Sequence, residues 1–298
     1  MPDELVDLII RDLIPPTQPH GHSVHRIHQE DLLRISQVSR TWRSCSLPYL
    51  FREMSVSLCP DPRTDATGML RGLTRRLEGK KNIYTLWDFL HSGQPLCRHV
   101  QQLSLSPALA CPEDMREYAL QWRDWVSKST VDPEKLAAIL NVLPSLRVLV
   151  LCDIVLTSPT PSRSLPINEL YLERSLKSAG DVLKTLGLFS VIKHLHVVFP
   201  EGNLAPYSLQ EGSLPSLETQ IESLDVQGDF PWAAFGFVRQ STQSPSSLSL
   251  KTLCVGPVDF HPAFSSMQQF FAHVASTLVS LKCELSITSL VVTGFVGQ

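Results

Sequence analysis

Little in this chain carries net charge: Lys and Arg number 26 against 29 Asp and Glu, a formal balance of -3 over 298 residues, and charged residues make up 18% of the whole. A basic surface able to hold nucleic acid or an anionic bilayer is therefore not expected. Long apolar runs are missing too. The longest stretch, Leu146 to Leu156, is interrupted by Arg147 and Asp153, and the opening Met1-Pro2-Asp3-Glu4 is acidic where a secretory leader is basic. Neither export nor a membrane span is expected. The seven cysteines, at 45, 59, 97, 111, 152, 254 and 283, form no Cys-x-x-Cys pair and are odd in number, which reads as reduced thiols of a cytoplasmic or nuclear protein. Gly-x-Gly-x-x-Gly, a Walker phosphate loop and a Gly-x-Ser-x-Gly elbow are all absent. Phosphate cradling and serine hydrolysis have no starting motif, so an enzyme is not expected.

What is present is proline and leucine. The 22 prolines gather in short clusters that interrupt apolar patterns and mark joints between elements. The stretch Cys59 to Gly68, rich in proline, turn formers and charge, predicts a boundary between an N-terminal unit (1–58) and a connector (59–88) that leads to the remainder (89–298). Before that boundary the pattern is helical. Leu5, Ile9 and Leu13 recur at four-residue spacing and Pro15-Pro16 must end their helix. Asp31 is placed as the N-cap of a second helix carrying Leu32, Leu33, Ile35, Val38 and Trp42, and Leu47 to Phe51 form a third apolar turn. So short a unit with this much apolar bulk is expected to need a partner surface.

Beyond the boundary one phrase recurs: an aliphatic residue, two others, Leu, one other, then Leu or Val. It reads Val100 to Leu105, Leu146 to Leu151, Ile167 to Leu172, Ile192 to Val197, Ile221 to Val226, Leu250 to Val255 and Ile287 to Val292, drawing on 45 leucines in the chain. Alternation puts the aliphatic side chains on one face of a short strand and the intervening residues on the other. Helical periodicity fills the intervals, over Pro112–Ser127, Pro133–Leu143, Ser178–Leu188, Phe230–Arg239 and Phe264–Leu281. The central leucines stand at 103, 149, 170, 195, 224, 253 and 290, and four of their six intervals (21, 25, 29 and 29) fall within the roughly 20 to 29 residues of a leucine-rich repeat. The expected fold is α/β: a small all-helical N-terminus followed by an irregular leucine-rich strand/helix solenoid.

The N-terminal residues carry a resemblance. Pro2-Asp-Glu-Leu5-Val6 to Leu13, followed by Asp31-Leu32-Leu33-Arg34-Ile35 to Val38-Ser39-Arg40-Thr-Trp42-Arg43, resembles the F-box in the form found in F-box-like proteins expanded in mushroom-forming fungi. The resemblance implies a substrate-recognition subunit of a Skp–cullin–F-box ubiquitin ligase. It docks on the Skp-type adaptor through Pro2, Leu5, Ile9, Leu13, Leu32, Leu33, Val38 and Trp42, and the repeats select the protein cargo. The alternative is a non-catalytic scaffold in which the F-box remnant only caps the solenoid. The loop expected from Ile14 to Glu30 is longer than the family norm.

For the cargo surface, the residues between the leucines of successive strands line one face. Glu169, Tyr171, His194, His196 and Asp225 in the middle of that strip are the expected contacts, because Tyr anchors interfaces and charges give selectivity. His20, His22, His25 and His28 crowd one loop without a completing cysteine or carboxylate, so neither a metal nor a cofactor is expected. Arg71, Arg75, Arg76, Lys80 and Lys81 read as a solvated helix face.

Overall fold

The computed structural model describes residues 2–13, 25–58, 83–107, 130–157, 165–173, 185–198, 219–227, 250–258, 272 and 274–285. Six helices and ten strands lie among them. The helices are α1 (Asp3–Leu13), α2 (His25–Ser36), α3 (Arg40–Leu50), α4 (Ile83–Ser92), α5 (Gln94–Cys97) and α6 (Pro133–Asn141). The strands are β1 (Glu53–Leu58), β2 (Gln102–Pro107), β3 (Thr130–Val131), β4 (Val148–Cys152), β5 (Val155–Leu156), β6 (Leu165–Glu173), β7 (Phe189–Val198), β8 (Gln220–Gln227), β9 (Thr252–Val258) and β10 (Ser280–Leu285). Among the described residues no helix is long and apolar enough to cross a membrane.

Eight strands form one sheet in the order β1-β2-β4-β6-β7-β8-β9-β10, each pair parallel, while β3 and β5 make a separate two-stranded pair. The register follows the leucine phrase. Leu103, Leu149, Leu170, Leu195, Leu224 and Leu253 are successive partners across the sheet, with Met54 at one end and Leu281 at the other. All six of those leucines are buried, as is the next inward row of Val56, Leu105, Leu151, Leu172, Val197, Val226 and Val255. A parallel ladder of identical side chains therefore forms the core wall, and its inward alternation pins every strand against a one-residue slip.

This is a mixed α/β fold with a large parallel sheet and few helices, and it overturns the expected helical F-box-like unit followed by a leucine-rich solenoid. The physical reason lies in what the phrase encodes. Alternating aliphatic residues are required of any strand covered on one face, so they specify a strand without specifying the class of repeat that carries it. The strands here reach ten residues, and the sheet opens with β1, inside the stretch assigned to the N-terminal unit. Helix α4, which starts inside the expected connector, buries Ile83, Leu86 and Leu90 in the same core.

Local corrections have equally local causes. Helix α2 begins at His25, so residues 25–30, expected in a loop, are helical, and Asp31 sits within the helix, ion-paired to Arg34 at 3.6 Å, where an N-cap was expected. The expected single helix through Trp42 breaks at Ser39, whose side chain accepts a hydrogen bond from the Trp42 N–H (3.3 Å) and caps α3. Near the end, the chain expected to be helical through Leu281 turns into β10, because Leu281 and Cys283 pair with Leu253 and Val255 of β9. The strand phrase at 287–292 and the helical stretches at 112–127 and 230–239 lie outside the described residues. Helix α6 starts as expected: Asp132 caps it by accepting from the Glu134 N–H (2.9 Å), and Pro133 occupies its first turn.

The N-terminal helices have a core of their own. Val6, Ile10 and Leu32 are buried, with Ile35, Trp42, Cys45, Tyr49 and Leu50 packed against them. The Tyr49 hydroxyl donates to Asp7 Oδ1 (2.9 Å) and the Cys45 thiol lies 3.7 Å from the Asp3 carbonyl, tying α1 to α3.

Candidate functional site

On the outer face of the sheet the row between the two core rows runs Val150, Tyr171, His196, Asp225, Cys254, Lys282, from β4 to β10. Parallel strands in matched register place these side chains about 4.8 Å apart laterally. The Tyr171 and His196 rings stack with 3° between planes and 4.2 Å between centroids. His196 Nδ1 lies 3.2 Å from Asp225 Oδ2, the two side chains about a quarter and a fifth exposed. An ionised carboxylate only accepts, so in this contact Nδ1 carries the proton. The Tyr171 hydroxyl donates to Glu169 Oε2 at 3.0 Å, and Gln227 Nε2 donates to Asp225 Oδ2 at 3.5 Å. The Cys254 thiol also bears on the Asp225 carboxylate as a weak donor, and Oδ1 of that carboxylate has no hydrogen bond of normal geometry.

These contacts set the charge states. Burial, reinforced by the Glu169 carboxylate, pushes the Tyr171 phenol up to about 12. Asp225 is held below the usual carboxylate value chiefly by its hydrogen bond with His196, against the opposing effect of burial. At neutral pH the row thus presents a neutral Tyr171 phenol and an ionised Asp225 carboxylate.

Four of the five expected cargo residues, Glu169, Tyr171, His196 and Asp225, are therefore one connected chain across β6, β7 and β8. His194 is exposed on β7, registered between Glu169 and Ser223, and stands beside the chain without joining it. Sequence reasoning did not single out Gln227 or Cys254, although Cys254 occupies the same position of its leucine phrase as Tyr171, His196 and Asp225 do of theirs. Chemically, the carboxylate stands between imidazole and thiol. A cysteine nucleophile needs the imidazole between itself and the acid, so this order suits binding better than thiol activation.

The second candidate surface is N-terminal. The expected adaptor contacts divide into two groups. Leu5, Ile9, Leu33 and Val38 are exposed to 52, 38, 54 and 69%, Pro2 is also exposed, and Leu8, which was not selected from sequence, joins them at 55%. Leu32 is buried and Trp42 is half-buried, both spent on the core of the helices themselves. Nothing is described of the Leu13 side chain. Helical spacing explains the split on α1: Val6 and Ile10 face inward, so Leu5, Leu8 and Ile9 are turned out. Where the helices meet the sheet, a groove of about 790 Å³ is lined by Leu33, Leu50, Phe51, Met54, Leu86 and Phe89 among others.

Among the described residues no group of three or more His, Cys, Asp or Glu side chains is arranged to hold a metal ion. His20, His22 and the basic run from Arg71 to Lys81 lie outside the described residues. No family model, no curated protein and no solved structure matches this chain.

Proposed function

We propose that the chain is a non-catalytic substrate-recognition subunit of a Skp–cullin–F-box ubiquitin ligase. It docks on the Skp-type adaptor through its N-terminal helices and holds a protein cargo on the outer face of the parallel sheet. The observation that carries this reading is the exposure of Leu5, Leu8, Ile9 and Leu33 on helices, and of Val38 in the turn between α2 and α3, although the core of those helices is already closed by Val6, Ile10 and Leu32. Fully burying a Leu or Ile side chain contributes about 1.5–3 kcal/mol, so each of these half-exposed residues adds roughly 1 kcal/mol when covered. Together they supply several kcal/mol toward the cost of association. Such a subunit works in the cytoplasm or nucleus, an environment suited to the free thiols Cys45, Cys97, Cys152 and Cys254.

The test is capture of a purified Skp-type adaptor by the full chain. Ile9→Asp combined with Leu33→Asp, both at exposed positions, abolishes capture while leaving the melting temperature in place. Undiminished capture by that variant overturns the docking face. Trp42 is the wrong probe, because its removal opens the core of the helices.

A second reading, a scaffold whose N-terminal helices only cover the β1 end of the sheet, is favoured by the groove that Leu33 and Leu50 share with Met54, Leu86 and Phe89. It is distinguished by deletion of residues 1–52: a scaffold binds no adaptor when intact and loses its cooperative unfolding when truncated.

A further inference from the structure

The row across β6 to β8 has an electrostatic character that points to the chemistry of its occupant. The outward positions of β4, β6, β7, β8 and β9 are Val148, Val150 and Cys152, Glu169, Tyr171 and Glu173, His194, His196 and Val198, Ser223, Asp225 and Gln227, and Thr252 and Cys254. Three of these are carboxylates and none is Lys or Arg. Glu169 is met by a phenol, and Asp225 by an imidazole, an amide and a thiol. A hydrogen bond from a phenol or an amide orients a carboxylate without cancelling its charge. Lys193 is exposed on β7 next to His194, one row away from the Tyr171–His196 stack, while Lys251 precedes β9 and lies 3.8 Å from Glu222, and Lys282 is on β10, two strands beyond Asp225.

Resting on the reading of this face as the cargo surface, we propose that the cargo presents a basic, extended segment whose arginine or lysine side chains meet Glu169 and Asp225 on either side of the Tyr171–His196 stack. The two acids are two strand spacings apart and one row offset, roughly 12 Å. In an extended segment, residues four apart share a face and span about 13 Å, so a pair of basic residues at that spacing fits both carboxylates at once. The stacked rings between them are held rigid on both sides, which lowers the ordering cost of docking. Arginine suits the site better than lysine, because its planar fork matches a carboxylate and stacks on aromatic surfaces.

The experiment titrates the full chain into three fluorescent Gly/Ser peptides that carry, four residues apart, two arginines, two glutamates or two glutamines, with anisotropy as the readout at low and high salt. The arginine peptide binds at low ionic strength, weakens at least tenfold in high salt, and weakens at least tenfold again with the near-isosteric pair Glu169→Gln and Asp225→Asn. Glu169→Gln alone gives a smaller loss, and an unchanged stacked-ring near-ultraviolet signal shows that the variants keep the fold. The inference is overturned if the glutamine or glutamate peptide binds as tightly as the arginine peptide, if none of the three binds, or if the double variant binds the arginine peptide undiminished. Binding of an uncharged peptide that is lost in Tyr171→Ala would retain the cargo face and sink only its preference for cations. Adaptor capture, measured in parallel, reports on the docking reading independently.

Discussion

Tyr171 and His196 come from neighbouring parallel strands and stack almost parallel, 4.2 Å between centroids, with each ring tied at its edge to a carboxylate: Tyr171 to Glu169, His196 to Asp225. The stack is a consequence of register. Because Leu170 pairs with Leu195 and Leu172 with Val197, the residues between them have no choice but to face each other.

The Tyr171 phenol is raised to about 12 against an ordinary value of 10, so the folded state binds its proton more tightly than the unfolded chain does. The associated stability is fully present below about pH 10 and is lost as pH rises from there toward 12. A 295 nm titration of the native protein minus that of Tyr171→Phe isolates this phenol from the other four tyrosines. The expected difference curve has its midpoint near 12, and a midpoint at 10 would contradict the buried, acid-flanked setting.

Asp225 has the opposite sign. Its folded value is depressed, so it contributes stability above the ordinary carboxylate range, and that contribution disappears as pH falls through the folded value. In urea unfolding, Asp225→Asn is less stable than the parent at pH 7. The gap closes below about pH 4. A gap that widens on acidification would show that the hydrogen bond with His196 does not dominate the site.

The leucine ladder should be far more sensitive than the N-terminal surface. Leu170→Ala and Leu195→Ala each remove a fully buried side chain between two identical neighbours, and each is expected to cost about 2–5 kcal/mol. Leu33→Ala, on an exposed side chain, is expected to stay within about 0.5 kcal/mol. Equilibrium denaturation of the three variants checks both figures.

Caps offer a third measure of local structure. Ser39→Ala and Asp132→Ala each orphan a helical N–H at the start of α3 and α6 and are expected to cost about 1 kcal/mol. The Ser39 loss is expected to appear in amide exchange of α3 before that of the sheet, since the N-terminal helices keep a separate core.

The positions of β2, β4, β6, β7, β8 and β9 were legible from the leucine phrase, and so was the outward placement of Tyr171, His196 and Asp225, because alternation is a property of consecutive residues; β1 and β10, which carry no such phrase, were not. The contacts among them were not, since they join residues from three strands whose pairing depends on long-range hydrogen bonds. On the N-terminal helices, the apolar character of Leu5, Leu32, Leu33 and Trp42 could be read directly. Which of them closes the core and which stays exposed could not, because four apolar residues on short helices satisfy more than one packing. The start of α2 and the break at Ser39 were missed because a cap-competent residue does not by itself mark a helix start: Asp31 lies inside α2, while Ser39 caps α3.

By itself, then, the order of residues determined the faces: which side chains of each strand are greasy, which are polar, and that charge is sparse. The three-dimensional fold alone decided the neighbours, assembling one long parallel sheet where a helical unit and a repeat solenoid were expected, and bringing Glu169, Tyr171, His196 and Asp225 into a single chain. Periodicity is a local property carried by adjacent side chains, whereas pairing is a competition among distant segments for the same backbone hydrogen bonds, and only the folded chain resolves it.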